Sequence, residues 1–214
     1  MLGEGEKSID RCDEEIYRKI ILLCYGGRVD KDFLILYHGA IVPHRGIEQL
    51  VTCVSENIYL KAIILGSGDN HYIKEIKDHI NRSGACDRVI LHPAVNQKEL
   101  WKYVGAADLC FVMIDKQPQS YYFALPNKLF ESIQAGIPVL GSDSPEIQKI
   151  VEFYQVGFVC DPDDIKQIGE MVEKLRMDTC LYKAFKNNTI RAREDLCWEK
   201  EKYVLMNRMK NLMD

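Results

Sequence analysis

Apolar runs separated by segments of helical period recur from residue 33 to residue 161. They read FLILYHG (33–39), LKAIILGSG (60–68), RVILHPAV (88–95), DLCFVMI (108–114), IPVLGSD (137–143) and VGFVCD (156–161). The first five are mostly continuous rather than alternating, the pattern of strands covered on both faces. Between them the 3.6-residue period predicts amphipathic helices over Ile47–Ser55, Asn70–Ser83, Gln97–Val104, Asn127–Ala135 and Pro145–Phe153, joined by short loops. This alternation predicts an α/β fold: a Rossmann-like, doubly wound parallel sheet of about six strands. From Asp163 onward the period is purely helical, which predicts terminal helices packed on one edge of the sheet. Residues 1–31 read as a lead-in helix with a break at Gly26-Gly27, and residues 32–214 as one domain, with no internal repeat or strong linker.

Composition narrows the possible partners. A chain of 214 residues with 47% hydrophobic content can bury a sizeable core. A formal charge of −4 and a pI near 5.8 leave no basic field to hold nucleic acid or an anionic membrane, so an anionic ligand has to be met locally. The eight cysteines are scattered without a CxxC pair and read as small buried hydrophobes in a reducing compartment. The first residues, MLGEGEKSIDRCDEE, are acidic and polar, and no apolar run reaches membrane-spanning length. A soluble, cytoplasmic chain without a transmembrane segment is expected.

In open parallel sheets ligands bind beyond the carboxyl ends of the strands, so the residues following each apolar run carry the information. After the first strand, Gly39 permits close backbone approach, and Arg45-Gly46 opens the next helix, where a guanidinium can meet a phosphate. The alternative is a solvated arginine beside a turn glycine. After the second strand, Gly66 and Gly68 form a loop free of side chains. No third glycine near His71 and no acidic residue after the next strand complete a dinucleotide fingerprint, so this is either a loop passing close to a nucleotide or a turn capped by Asp69 or Asn70. After the third strand, Pro93, Ala94 and Val95 form an extended segment able to bond a base edge through its backbone. Asn96 is a plausible helix cap there, and His92 reads as a structural histidine.

The fourth place is LPNKLFESIQAG (125–136). Pro126 suits a first helical turn, Gly136 a C-cap, and Leu129, Phe130 and Ile133 a buried stripe. Lys128 stands at the positive end of the helix dipole, which disfavours a cation unless an anion lies between them. A phosphate at the helix mouth would supply that anion, with Glu131 one turn behind to accept hydrogen bonds from a ribose. The alternative is an exposed Lys–Glu pair on a surface helix.

Taken in order, YHGAIVPHRGIEQLV, IILGSGD, VILHPAV, LWKYVGAADLCFVMI and LPNKLFESIQAGIPVLGSDSPEI resemble the donor-binding C-terminal domain of the GT-B glycosyltransferases, group 1 (family 4), over Phe33 to Pro162. The resemblance implies a Rossmann-like half of a two-domain retaining enzyme that holds a UDP-, GDP- or ADP-sugar. It makes Arg45 a contact of the donor diphosphate and Glu131 the holder of the ribose hydroxyls. Gly39 and Gly66 match phosphate-side turns. Pro93 to Val95 match the base segment, and Leu125, Pro126, Asn127, Lys128 and Leu129 the cradle of phosphates and sugar. No metal and no cofactor beyond the donor is implied, since basic side chains and helix dipoles stabilise the leaving diphosphate.

Two positions depart from the family pattern. Phe123 stands where a further glutamate is common, and Ala40 where an arginine is common, with Lys128 as a replacement cation. An acceptor-binding N-terminal domain is not among these residues. Residues 1–31 look like the remnant of an interdomain connection, so a truncated enzyme or a half-enzyme needing a partner chain is expected. Peripheral membrane contact, if any, would fall to that missing half. The expected function is hexosyl transfer in cell-surface polysaccharide or glycolipid assembly. The alternatives are a non-catalytic nucleotide-binding subunit and an epimerase of the same architecture.

Overall fold

A computed structural model describes residues 32–117 and 119–213. Six strands, β1 (Phe33–Ile41), β2 (Leu60–Gly68), β3 (Val89–Pro93), β4 (Leu109–Val112), β5 (Val139–Ser142) and β6 (Gly157–Cys160), form one sheet in the order β3-β2-β1-β4-β5-β6. Every pairing is parallel. The order reverses between β1 and β4, and such a switch point opens a crevice beyond the carboxyl ends of the strands. The helices are α1 (Ile47–Glu56), α2 (Asn70–Arg82), α3 (Gln97–Ala106), α4 (Gln119–Tyr122), α5 (Asn127–Ala135), α6 (Pro145–Tyr154), α7 (Ile165–Met177), α8 (Thr179–Asp195) and α9 (Trp198–Met213). From Phe33 onward the chain is a single compact unit. The predicted lead-in helix lies outside the described residues.

The continuous apolar runs have the two-sided burial that their pattern predicts. In and just after β4, Leu109, Phe111 and Met113 enter one core with α1, α2 and α7, while Val112 and Ile114 enter the other with Leu129, Ile133, Ile147 and Val151. Caps fall where the sequence suggests: Asp69 accepts from His71 N–H and Tyr72 N–H, and Asn96 accepts from Glu99 N–H.

The terminal helices differ from expectation, since they are not confined to one edge. α7 packs on α1 and on edge strand β6. In α8, Leu181, Tyr182 and Phe185 pack against the first core, whereas Ala192 belongs to the second. A helix with apolar residues for both cores has to pass the end of the sheet. Tyr182 meets Phe33 at the start of β1 with ring centroids 6.1 Å apart. Farther along, the amide of Asn188 donates to Gln155 O at the end of α6 (2.9 Å). The four-residue α4 is too short to leave a helical period in the sequence.

The cysteine expectation holds for half of those described. Cys53, Cys110 and Cys160 are buried, and burial raises each thiol to about 12, but Cys86 and Cys180 are exposed. All six described cysteines are free thiols. No helix among the described residues is long and apolar enough to cross a membrane.

Candidate functional site: a cleft at the switch point

The carboxyl ends of β1 and β2 form a flat floor. Gly39 pairs in register with Gly66, and a Cβ on Gly66 would collide with the Gly39 carbonyl oxygen, so only glycine fits. Gly39 itself has φ 126, a conformation that L side chains rarely adopt. Beyond this floor lies a cleft of about 390 Å³.

Arg45 reaches the cleft from the β1–α1 loop. It stands between two left-handed residues, His44 (φ 67) and Gly46 (φ 70). A Cβ on Gly46 would lie 2.5 Å from Met113 Cβ, so its lack of a side chain lets the start of α1 close onto β4's extension. The Arg45 guanidinium lies 4.2 Å from the centroid of the Tyr121 ring.

α5 contributes the other cation. Pro126 is its N-cap residue, with extended backbone (φ −78, ψ 142) and no side-chain hydrogen bond to the first turn, so the helix dipole faces the cleft uncapped. The Lys128–Glu131 pair is not a solvated surface pair. Lys128 is only 8% exposed, and it shares the buried face of α5 with Leu129, Ser132 and Ile133. Phe130, expected in that stripe, is only half-buried, because helix rotation gives its place to Lys128. Lys128 Nζ lies 4.2 Å from the Tyr37 ring centroid and makes no hydrogen bond to any described residue. Burial, and then the charge of Arg45, lower its pKa from 10.5 to about 7.

His38 completes the wall. It is 4% exposed, with Nδ1 3.5 Å from Glu131 Oε2 and Nε2 without a partner among the described residues. Burial, and then Lys128, push it down to about 4, so it is neutral near pH 7. The other oxygen of Glu131 is 3.5 Å from Gln97 Nε2 at the start of α3. The cleft therefore sets two cations and an uncapped helix start beside one carboxylate. That arrangement can neutralise a diphosphate and accept hydrogen bonds from neighbouring hydroxyls.

Of the residues singled out in the sequence, Gly39, Arg45, Gly66, Ala94, Val95, Pro126, Asn127, Lys128 and Glu131 line this one cleft. Gly46, Pro93, Leu125 and Leu129 do not: Gly46 packs on Met113, Pro93 ends β3 opposite Gly66, Leu125 is 39% exposed and Leu129 is fully buried. Tyr37, His38, Leu65, Ser67 and Leu100 also line the cleft and were not singled out. His38, next to the strand-end glycine, was the one with a readable signal. Tyr37 and Leu65 are indistinguishable from core residues in an apolar run. His92 is structural as expected, with Nδ1 2.7 Å from Pro93 O and Nε2 3.3 Å from Tyr103 Oη. Ala40 lines the cleft, and Phe123 is 54% exposed. Among the described residues no cluster of three or more His, Cys, Asp or Glu side chains could hold a metal ion.

Solved structures with this fold include sucrose-phosphate synthase from Thermosynechococcus elongatus (20% identity, TM-score 0.74), matched over 87% of this chain and 47% of that one. Anabaena HepE in complex with UDP and glucose matches at 15% identity and TM-score 0.75, over 97% of this chain and 53% of that one. The C-terminal domain of a group 1 glycosyl transferase from Francisella tularensis (LpcC) matches at 15% identity and TM-score 0.65, over 75% of this chain and 83% of that domain. The chain thus spans about half the length of the full enzymes it resembles, and its sheet is that of the C-terminal, Rossmann-like half of the GT-B fold. No curated protein sequence matches it significantly. The family model for glycosyl transferases group 1 matches residues 26–192, most of the chain, and the protein belongs to that family.

Proposed function

We propose that the cleft binds a nucleotide-sugar donor and that the chain is the donor-binding half of a retaining, metal-independent hexosyltransferase. The observation that carries this reading is the buried Lys128 amine, unpartnered among the described residues, at the uncapped start of α5 and on the same cleft as Arg45. Burying a cation without a partner is costly, and a diphosphate at that place offsets the cost. In this reading Glu131, held between His38 and Gln97, accepts from the ribose diol, and the Ala94–Val95 backbone meets the base; their shared lining of the cleft supports it. In transfer, the bond between the anomeric carbon and the β-phosphate oxygen breaks with its electron pair on phosphate. The acceptor oxygen bonds to that carbon, and its proton passes to the departing diphosphate oxygen. Arg45, Lys128 and the helix start stabilise the charge left on the diphosphate. That Anabaena HepE and a pneumococcal O-GlcNAc transferase have been solved with UDP supports a uridine nucleotide as the first donor to try.

Calorimetry with UDP, GDP and ADP tests the reading. One of them is expected to bind, and Glu131→Ala and Arg45→Ala are each expected to weaken it by about 1–3 kcal/mol through loss of a charged hydrogen bond. Unchanged affinity in both variants sinks the assignment. The chain alone is expected to bind donor and transfer little. Transfer restored only by adding a second, acceptor-binding chain would favour the subunit reading, and release of free epimerised sugar the epimerase.

A further inference from the structure

Arg45 and Lys128 are held in the cleft by different means. Lys128 is fixed by burial, whereas Arg45 lies on a half-buried loop and its long side chain has many rotamers open to it. Two positions between β4 and α5, Asp115 and Tyr121, meet the loop that carries Arg45. Asp115 grips the preceding residue twice: its backbone N–H donates to His44 O (3.1 Å), and its Oδ2 lies 2.9 Å from His44 Nδ1. These contacts accompany a His44 φ of 67, a left-handed conformation uncommon outside glycine. Lys116 then ties the same segment to the ends of β5 and β6 through Asp143 (3.1 Å) and Asp161 (2.8 Å). Five residues on, Tyr121 packs against the second core and presents its ring to the Arg45 guanidinium at 4.2 Å. Neither Asp115, Lys116 nor Tyr121 lines the cleft.

We propose that Tyr121, seated against the second core, is a positioning residue for Arg45 and so sets the anion affinity of a cleft it does not enter. The inference rests on the donor-binding reading. A guanidinium lying against an aromatic face is pre-ordered, and a ligand that meets it there loses less rotamer freedom on binding.

The test is a double-mutant cycle on the full chain, reading affinity for UDP and for pyrophosphate. Tyr121→Leu, which keeps apolar packing but loses the aromatic face, is expected to weaken both about three- to tenfold. Tyr121→Phe is expected to stay within about twofold, since the face is retained. In an Arg45→Ala background, Tyr121→Leu is expected to cause no further loss, which a general structural defect would not reproduce. A full loss persisting without Arg45, or wild-type affinity in Tyr121→Leu, overturns the proposal. The Arg45 Nε–H proton provides a readout that needs no ligand. Ring current from Tyr121 is expected to move it upfield in the wild type and Tyr121→Phe and not in Tyr121→Leu. An unshifted wild-type signal overturns the positioning role even if UDP binds. Failure of the wild type to bind any nucleotide overturns the donor reading, and the Tyr121–Arg45 relation then stands or falls on that resonance.

Discussion

A lysine amine that is 8% exposed, with no hydrogen bond to a described residue, destabilises the fold that contains it. Lys128 has its pKa lowered by burial and by Arg45 to about 7 from 10.5. Between those values the unfolded chain holds a proton that the folded chain does not, so this site's contribution to stability rises with pH across that window and is least favourable below about 7. Lys128→Met is expected to raise stability near pH 7 by about 1–3 kcal/mol, with the gain shrinking toward pH 10, as read by urea denaturation. The same substitution is expected to weaken anion binding. In the wild type a bound diphosphate favours the protonated amine, so binding is expected to take up protons and to weaken as pH rises above 7. Calorimetry in buffers of different ionisation enthalpy measures that uptake. His38 titrates in a separate window: lowered by burial and Lys128 to about 4 from 6.5, it is neutral in the fold where the unfolded chain is charged. Stability is therefore expected to fall on acidification from 6.5 toward 4, and His38→Leu to flatten that fall in denaturation at stepped pH. In the sequence, Lys128 drew notice because a cation is out of place at a helix start. Its burial was not legible there, since which face of α5 turns inward depends on residues brought from β1.

At the scale of elements, glycines in a strand and in a helix are not equivalent. Gly66→Ala drives a methyl group into the neighbouring strand's backbone and is expected to destabilise by about 1–3 kcal/mol, visible as a lowered urea midpoint. Gly169, inside α7, has open space where a Cβ would go, and Gly169→Ala is expected to stabilise by about 0.5–1 kcal/mol in the same assay. A sequence shows both as one letter in an otherwise regular segment, and the neighbouring strand tells them apart. The strands were legible because burial on two faces leaves continuous apolar runs, and α5 because proline and glycine bound it at Pro126 and Gly136. α4 and the course of α8 were not. A single turn has no period, and an amphipathic helix announces that it will pack without saying on what.

For the molecule as a whole, five ordered segments pointed to the sheet order's crevice before any distance was known, because parallel strands deliver their carboxyl ends to one side. The contacts that tune the cleft from outside, Asp115 with His44 and Tyr121 with Arg45, link positions 71 and 76 apart in the chain, and no local spacing foretells them. The course of α8 has a thermodynamic corollary. A helix shared between both sides of the sheet works as a keel, and neither half of the hull can loosen without the other feeling it. Heating is therefore expected to melt residues 33–195 in one transition, with calorimetric and van't Hoff enthalpies equal, and a chain ended at Asp178 is expected to lose that sharpness.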